Sequence, residues 1–208
     1  MKIAVIGAGN VGRTLGAAWA VNHEITYGVR DPDDTKHATL SQTPNTAVAD
    51  NAAATASSGV VVLCTPWQAT EQAVRACGDL TDKILIDCTN PLAPDFAALT
   101  VGHTSSGAEL VAQWAPGARI CKAMNQIGAP MMAHPTLPGT PVMLICGDDD
   151  AAKAVTTDLV TELGFETIDA GGLTLARLLE PYALIWIHLA LQRGLGTGWA
   201  FGLLRETA

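Results

Sequence analysis

VIGAGNVGRTLG, residues 5–16, places three glycines in a G-x-G-x-x-G pattern between an apolar run and a segment of helical character. In a dinucleotide-binding turn, Gly7 permits the tight bend, Gly9 lets the backbone approach a pyrophosphate, and Gly12 allows close packing of helix on strand. The N-terminus of the following helix would direct N–H groups and a positive dipole end at the phosphates. The stretch predicts a nucleotide-binding α/β fold; the alternative is a turn that keeps only the shape of such a loop.

Short apolar runs and helical segments alternate along most of the chain. Strands are predicted at 2–7, 24–29, 59–64, 83–88, 118–123 and 141–146. Helices are predicted at 11–21, 46–56, 66–76, 105–117 and 147–164. Because the strands are apolar on both faces, the pattern is typical of a Rossmann-type, doubly wound, mostly parallel sheet covered by helices.

The end of the chain has a different character, because residues 173–204 are predicted to be helical and apolar over more than one face. We predict a nucleotide-binding domain at 1–172 and an appended C-terminal helical extension at 173–208, within one compact unit. The tail 173–204 is expected to form a homodimer interface, with Trp186, Trp199 and Phe201 as anchors. The alternative is that it caps only the core of its own subunit.

Composition excludes several classes of partner. Hydrophobic residues make up 49% of the 208 residues, so a second subunit is expected to cover part of the apolar surface. The net charge of −8, without a basic run, argues against nucleic acid and against an anionic membrane surface. The longest apolar stretch, 181–191, falls short of the roughly 20 residues that span a bilayer. An odd number of cysteines without CxxC spacing fits a reducing compartment, so we expect a cytoplasmic protein.

The cofactor is decided at the end of the second predicted strand, where the sequence reads YGVRDP, residues 27–32. A guanidinium at Arg30 can form paired hydrogen bonds with the 2′-phosphate of NADP. Asp31 could instead bind the ribose hydroxyls of NAD, but Pro32 follows it and favours a turn at that point. We therefore predict NADP, with NAD and a solvent-exposed Arg30 as the alternatives.

The chain offers few groups for acid–base chemistry. Lys122 is the only lysine near a predicted strand end, while His103 and His134 lie in loops and His188 lies in an apolar helix where a core role is expected. Neither a metal-ligand cluster nor a nucleophile–base pair is recognisable. Hydride transfer to a flavin-like ring needs no such group, because the acceptor delocalises the added charge. It needs a water-poor cleft, for which 64–69, 87–94 and 122–128 are candidates.

Seven short motifs together resemble the NADPH-dependent oxidoreductases of the deazaflavin coenzyme F420, a family also similar to the reductase domain of the STEAP metalloreductases. The motifs are GAGNVG, YGVR, TPW (65–67), SSGAELVAQW, KAMNQIG, CGDDDAAKA and DAGGLTLARLLEP. The resemblance implies a homodimer that exchanges hydride directly between NADP(H) and a deazaflavin, without an obligatory catalytic side chain. It also implies that Asn10 and Val11 meet the pyrophosphate, that Val29 and Arg30 meet the 2′-phosphate, and that Thr65 and Pro66 meet the nicotinamide ribose. Met124 and Asn125 are placed at the nicotinamide edge.

These arguments give two predicted sets of site residues and leave the acceptor open. The cofactor set is Gly7, Ala8, Gly9, Asn10, Val11, Gly12, Val29, Arg30, Thr65, Pro66, Met124 and Asn125. The acceptor set is Trp67, Asn90, Pro91, Leu92, Gln126 and Ile127. F420 is the leading acceptor, a flavin or a ferric chelate is the nearest enzymatic rival, and a non-catalytic NADP(H)-binding sensor is the alternative of a different class.

Overall fold

The computed structural model describes residues 1–206, which form one eight-stranded sheet flanked by helices on both faces. The strands are β1 Lys2–Ile6, β2 Glu24–Val29, β3 Thr46–Asp50, β4 Val60–Leu63, β5 Ile84–Asp87, β6 Arg119–Lys122, β7 Val142–Gly147 and β8 Glu166–Asp169. Their order in the sheet is β3-β2-β1-β4-β5-β6-β7-β8, and every neighbouring pair is parallel except β6 and β7. The predicted mostly parallel, Rossmann-type fold is confirmed.

Alternation of side chains along the strands divides the core between the two faces of the sheet. The helices are α1 Asn10–Trp19, α2 Asn51–Ala56, α3 Trp67–Arg75, α4 Gly107–Trp114, α5 Asp150–Glu162 and α6 Ala176–Ile187. Ile3 and Val5 point to the face covered by α1 and α5, whereas Ala4 and Ile6 point to the face covered by α2, α3, α4 and α6. Because both faces are covered, the central strands β4 and β5 are buried throughout.

Two strands and one strand direction differ from the sequence prediction. Residues 46–50 form β3 where a helix was expected over 46–56, and only α2 in the second half is helical. β8 was not predicted. Both lie at the edges of the sheet, where one side has no partner strand and the side chains are only partly buried, so the apolar signal is weak. β7 runs antiparallel to β6, a direction that apolar content does not encode.

The observed helix ends lie at residues that commonly cap or terminate helices. The Ser106 hydroxyl accepts a hydrogen bond from the Glu109 N–H at 3.2 Å and donates one to the Glu109 carboxylate at 2.8 Å, which caps α4 as its S-x-x-E sequence predicts. Asp149 caps α5 by accepting from the N–H of Ala152 at 2.7 Å. Gly164, with a φ of +92°, closes the other end of α5, since left-handed backbone favours glycine.

The tail is helical only in its first part. A short 3₁₀ turn, Leu173–Leu175, leads into α6, which continues as a π-helical turn over His188–Gln192. Beyond it the predicted helix is wrong, because Gly194 and Gly196 adopt left-handed φ values and end the helix. The chain then folds back, and the Phe201 carbonyl accepts a hydrogen bond from the N–H of Val142 at 2.9 Å.

The returning segment builds an aromatic cluster against α6. The rings of Trp186 and Trp199 stack with centroids 5.4 Å apart, and those of Tyr182 and Phe201 stack at 4.3 Å. The Trp186 indole N–H also donates to the Trp199 carbonyl at 3.1 Å. The three predicted interface aromatics, Trp186, Trp199 and Phe201, therefore contact one another within one chain. Over residues 1–206, none of the helices has the length and apolar character to cross a membrane.

Candidate functional site

The glycine loop joins β1 to α1 in the geometry that its pattern predicts. Gly7 has a left-handed φ of +99°, and its N–H donates to the Gly28 carbonyl at 3.0 Å. A Cβ on Gly12 would lie 1.9 Å from the Gly7 carbonyl oxygen, so only glycine fits there. A Cβ on Gly9 would meet nothing within 4 Å, and Gly9 brings no capping side chain to the first turn of α1. The loop leaves an open cradle at a helix N-terminus, which fits a pyrophosphate.

A cavity of about 640 Å³ lies at the carboxyl ends of β1, β2 and β3, next to the point where the strand order reverses between β1 and β4. Its lining is Ile6, Gly7, Ala8, Gly9, Gly28, Val29, Arg30, Asp31, Lys36, His37, Asp50, Asn51, Ala52, Thr65, Pro66, Ala69, Gln72, Ala73 and Ala76. We call it the glycine-loop cavity. Seven predicted cofactor residues meet there: Gly7, Ala8, Gly9, Val29, Arg30, Thr65 and Pro66. Asn10, which begins α1, and the buried Gly12 lie outside its lining.

Arg30 and Asp31 both reach the glycine-loop cavity but differ in what their side chains already do. The Asp31 carboxylate accepts a hydrogen bond from the N–H of Asp33 at 3.3 Å, so it starts a turn, as Pro32 suggests. Within residues 1–206 the exposed Arg30 guanidinium has no hydrogen bond or ion pair. Of the two, Arg30 is the side chain available to a ligand, which favours a phosphate over ribose hydroxyls at this end of the cavity.

Gly28 has a packing role that the sequence did not suggest. A Cβ there would lie 2.5 Å from the Ile6 side chain and 3.2 Å from the Asn51 side chain. The absence of a side chain therefore lets α2 pack closely on β1 and β2. Its backbone still contributes to the lining of the cavity.

Sequence reasoning missed a second group of side chains at this cavity, in the loop after Arg30. Lys36 lines the cavity and pairs with Asp34 at 2.6 Å, while Arg13 donates to the Lys36 carbonyl at 2.8 Å and to the Ala8 carbonyl at 2.8 Å. His37 also lines the cavity, is 7% exposed, and its Nδ1 has no partner among the described residues. Burial lowers the pKa of His37, and the Lys36 charge lowers it further. No motif signals this loop, although the K-H pair six residues beyond Arg30 is a weak compositional hint.

A second cavity, of about 390 Å³, lies on the other side of Thr65 and Pro66. Its lining is Val11, Cys64, Thr65, Pro66, Trp67, Gln68, Cys88, Thr89, Asn90, Leu92, Ala93, Pro94 and Phe96. We call it the Trp67 cleft. It contains three of the predicted acceptor residues, Trp67, Asn90 and Leu92, together with Val11 from the cofactor set. None of its lining side chains is Lys, Arg, His, Asp or Glu, so the cleft is a largely apolar, uncharged space.

The structure does not bring the other predicted residues to either cavity. Met124, Asn125, Gln126 and Ile127 are all buried and lie outside both linings, as does Pro91. The Asn125 amide donates to the Asn90 side chain at 3.0 Å and also to the Leu179 carbonyl at 3.3 Å. The Gln126 amide in turn donates to the Asn125 side chain at 2.8 Å. Their polar groups are thus satisfied internally, and these residues support Asn90 from behind without facing the cleft.

Lys122 is a structural residue and not an exposed acid. Its ammonium is fully buried and donates to Asp87 at 2.8 Å and to Glu180 at 2.9 Å. Burial by itself would lower the pKa of Lys122, but the two carboxylates outweigh burial and raise it. Glu180 also accepts from the N–H groups of Gly107 at 2.9 Å and Ala108 at 3.1 Å, so α6 supplies a cap for α4. This cluster joins β5, β6, α4 and α6 beside the Trp67 cleft.

The remaining candidates for acid–base or metal chemistry lie elsewhere. His103, His134 and His188 are all exposed and outside both linings, so the expected core position of His188 is wrong. His188 lies on the solvent-facing side of the turn that follows α6. Over residues 1–206, no group of three His, Cys, Asp or Glu side chains could hold a metal ion.

Comparison with known proteins agrees with this geometry. Residues 2–91 match the family described as NADP oxidoreductase, coenzyme F420-dependent. The F420-dependent NADP reductase of Methanothermobacter thermautotrophicus is 31% identical over 92% of this chain and 90% of its own length. The rat metalloreductase STEAP3 is 27% identical over 88% of this chain, which corresponds to 36% of that larger protein.

A crystal structure from Arthrobacter sp. FB24, provisionally assigned as an F420-dependent NADP-reductase, superposes with a TM-score of 0.91. It is 34% identical, and the match covers 99% of this chain and 100% of that one. The similarity extends over the tail as well as the nucleotide-binding part. This chain belongs to the family of F420-dependent NADP oxidoreductases.

Proposed function

We propose that this protein exchanges hydride between NADP(H) and the deazaflavin coenzyme F420. The observation that carries the proposal is the junction of two cavities at Thr65 and Pro66. Among residues 1–206, the Arg30 guanidinium at the end of one cavity has no partner, and no charged side chain lines the other cavity. Such a pair of spaces suits a phosphorylated nucleotide on one side and a planar ring that needs a dry environment on the other.

In the glycine-loop cavity the protein binds and orients the nucleotide. The open backbone at Gly9 and the uncapped N-terminus of α1 hold the pyrophosphate. Arg30 pairs with the 2′-phosphate, whereas the charge of Lys36, which lines the same cavity, is already compensated by Asp34. Because Thr65 and Pro66 touch both spaces, a nucleotide that extends from Arg30 to these residues presents its nicotinamide end to the Trp67 cleft.

In the Trp67 cleft the protein aligns the acceptor and excludes water. When bound, the nicotinamide supplies hydride and the deazaflavin ring delocalises the charge it receives, so no side chain has to move a proton. Val11, Trp67 and Leu92 provide apolar walls, and the contact of Trp67 with Trp114, at a centroid distance of 5.4 Å, restricts the orientation of the ring. Alignment of two bound rings in one cleft replaces a bimolecular encounter, which is the main rate effect available here.

The direct test mixes purified protein and NADPH anaerobically with F420, FMN, FAD or a ferric chelate, each separately, and follows the loss of reduced nicotinamide. We expect rapid turnover with F420 and little with the others. Leu92→Asp places a charge in the Trp67 cleft, so it should slow turnover while NADPH affinity stays unchanged. Val21→Asp, at an exposed apolar position outside both cavity linings, is the matched control and should change neither.

Other outcomes assign the rival functions. Turnover with flavin or ferric chelate alone would make the protein a flavin or ferric reductase, in line with the similarity to STEAP3. Tight NADPH binding without turnover on any acceptor would indicate a sensor. If NADPH itself does not bind, the nucleotide assignment of the glycine-loop cavity is wrong as well.

A homodimer joined through the tail is the second part of the proposal. Leu178 and Ile185 are more than half exposed on one side of α6, and Leu191 and Leu195 continue this apolar surface beyond it. A second copy of the same apolar surface is the occupant that would cover it symmetrically. Burying one such side chain stabilises association by about 1.5–3 kcal/mol. Trp199 is a poorer anchor than expected, because its ring packs within its own chain.

Light scattering tests the dimer with variants chosen from exposed positions. The unmodified protein should be dimeric, and Ile185→Glu should be monomeric because it places a charge in the apolar surface. Val21→Glu, at a more exposed apolar position that is distant from the tail in sequence, should remain dimeric. A monomeric unmodified protein, or a dimeric Ile185→Glu variant, would remove the tail from the interface.

We also place the protein in the cytoplasm. The five buried thiols, odd in number and without CxxC spacing, suit a reducing compartment. A fusion of the chain to a fluorescent reporter, fractionated from cells, tests this location.

A further inference from the structure

Two cysteines stand side by side in the wall of the Trp67 cleft. Cys64 and Cys88 directly follow β4 and β5, whose last residues, Leu63 and Asp87, are paired in parallel register. The pairing continues by one step, since the N–H of Cys88 donates to the Leu63 carbonyl at 3.1 Å. Neighbouring strands are about 4.8 Å apart. This spacing falls within the Cα separations of about 4.4–6.8 Å that a disulfide spans.

The two thiols also share a face of the sheet and a cavity. Both belong to the part of the core under α1 and α5, both line the Trp67 cleft, and both are free. Contact with the Cys64 thiol, followed by burial, raises the pKa of Cys88 well above its usual range. The pair is therefore a dithiol that opens onto the space assigned above to the acceptor.

The other three cysteines do not form such a pair. Cys121 and Cys146 lie on neighbouring strands, but Cys146 is paired with Lys122 and Cys121 with Gly147, so the two are out of register. They also belong to opposite faces of the sheet. Cys77 follows α3 and is buried without a neighbouring thiol among the residues that affect its pKa. These cysteines provide internal controls of similar burial.

We propose that Cys64 and Cys88 form a reversible oxidation site that a small hydroperoxide converts into a disulfide. The Cys64 sulfur, as its thiolate, attacks the peroxide and breaks the O–O bond, releasing an alcohol or water and leaving a sulfenic acid, because the raised pKa of Cys88 makes that residue the second, protonated thiol. The second sulfur then forms the S–S bond, and the sulfenic hydroxyl leaves with the second thiol proton as water. The two sulfurs lose two electrons and the peroxide gains two. The narrow cleft admits a small oxidant and holds the second thiol next to the first.

Oxidation should affect the two cavities differently, and this consequence rests on the proposed function. A disulfide changes the wall of the Trp67 cleft beside Thr65 and Thr89, whereas neither sulfur lines the glycine-loop cavity. The oxidised protein should therefore require several-fold more acceptor for half-maximal turnover while its NADPH affinity stays unchanged. Formation of the bond itself depends only on the positions of the two cysteines.

Peptide mapping of the unmodified protein tests the bond without any variant. Trypsin places each of the five cysteines on a different fragment, with Cys64 in 37–75 and Cys88 in 84–119. After hydrogen peroxide treatment and blocking of free thiols, we expect one cross-linked species joining these two fragments, lighter by two hydrogens. Thiol titration of the unfolded protein should fall from five groups to three, and dithiothreitol should restore five.

Variants then separate this pair from general oxidation. Cys88→Ala should lose the cross-link, whereas Cys121→Ala should keep it. A cross-link involving Cys77, Cys121 or Cys146, or a peroxide-treated protein that keeps all five thiols, would overturn the proposal. If the disulfide forms but acceptor turnover is unchanged, the oxidation site stands and the assignment of the Trp67 cleft to the acceptor is wrong.

Discussion

The glycine-loop cavity and the Trp67 cleft share a wall at Thr65 and Pro66 but differ in the side chains that line them. The first has ionisable side chains in its lining, and the Arg30 guanidinium has no partner within the described residues. The second has no charged side chain in its lining, and the polar groups behind it, such as those of Asn125, bond to one another. On the proposed function, the first space binds a charged group, whereas the second selects by shape and by exclusion of water. The following predictions test that difference.

The largest effect should come from the buried cluster beside the Trp67 cleft. Lys122→Met leaves Asp87 and Glu180 buried without their counter-charge, which should destabilise the fold by about 3–5 kcal/mol in denaturant titrations. Lys153→Met is the control, because Lys153 pairs with the more exposed Asp150 and Asp169 and should matter much less. Equal losses of unfolding free energy in the two variants would show that burial of the Lys122 cluster does not increase the cost of removing its lysine.

Within the glycine loop, substitutions at Gly12 and Gly9 should distinguish an effect on packing from an effect on ligand binding. Gly12→Ala forces a Cβ against the Gly7 carbonyl, so we expect a loss of about 1–3 kcal/mol in stability together with a loss of NADPH binding. Gly9→Ala fills only open space and should stay within about 0.5 kcal/mol of the unmodified stability while NADPH binding weakens. Calorimetric titration with NADPH and thermal unfolding measure both. Unchanged NADPH affinity in Gly9→Ala would contradict the assignment of the open cradle to the pyrophosphate.

Arg30 should decide between the two nicotinamide nucleotides. A charge-assisted bond to phosphate contributes roughly 1.5–3 kcal/mol, so NADPH should bind at least about tenfold more tightly than NADH. Arg30→Ala should remove most of that difference, whereas Arg75→Ala, an exposed arginine outside the lining, should preserve it. A preference of the unmodified protein for NADH would transfer the decisive role to Asp31.

Phe96 should show the smallest change and the one most specific to the Trp67 cleft. Its ring is half exposed in the lining of the cleft, and its φ of +57° is unfavourable for a residue with a side chain. Phe96→Gly and Phe96→Ala both remove the ring and should raise the acceptor KM similarly. Only glycine adopts the left-handed φ without strain, so the Phe96→Gly variant should be more stable than the Phe96→Ala variant by about 1 kcal/mol. Equal stabilities of the glycine and alanine variants would show that the backbone at Phe96 is not strained. An unchanged acceptor KM in both variants would show that the Phe96 ring does not contact the acceptor.

The sequence was most informative where local chemistry dictates structure. The glycine loop, the capped α4 and the buried central strands follow from rules that involve a few adjacent residues, and all were predicted. β3 was missed because residues 46–50 form an edge strand with little burial. The role of Lys122 was missed for another reason, since its partners Asp87 and Glu180 are distant in sequence and meet only in the folded sheet.

The candidate site divides in the same way. Spacing alone singled out Gly7, Gly9 and Arg30, and the structure brings them together in the lining of the glycine-loop cavity, while their contacts with a nucleotide stay a prediction. Asn125 and Gln126 were placed in contact with ligands, but they lie behind the cleft, since sequence alone does not tell whether a polar side chain faces a ligand or another amide. His37 escaped attention because nothing in its local pattern reveals that the loop folds back over the cavity.

Glu180 has a consequence for the order in which the protein acquires its structure. A chain leaving the ribosome presents its N-terminal part first, so Asp87, Lys122 and the start of α4 emerge before their shared partner in α6. Until Glu180 is synthesised, the first helical turn of α4 lacks the carboxylate that binds its N–H groups. The buried Lys122 cluster and the cap of α4 therefore stay incomplete during translation until α6 has been made.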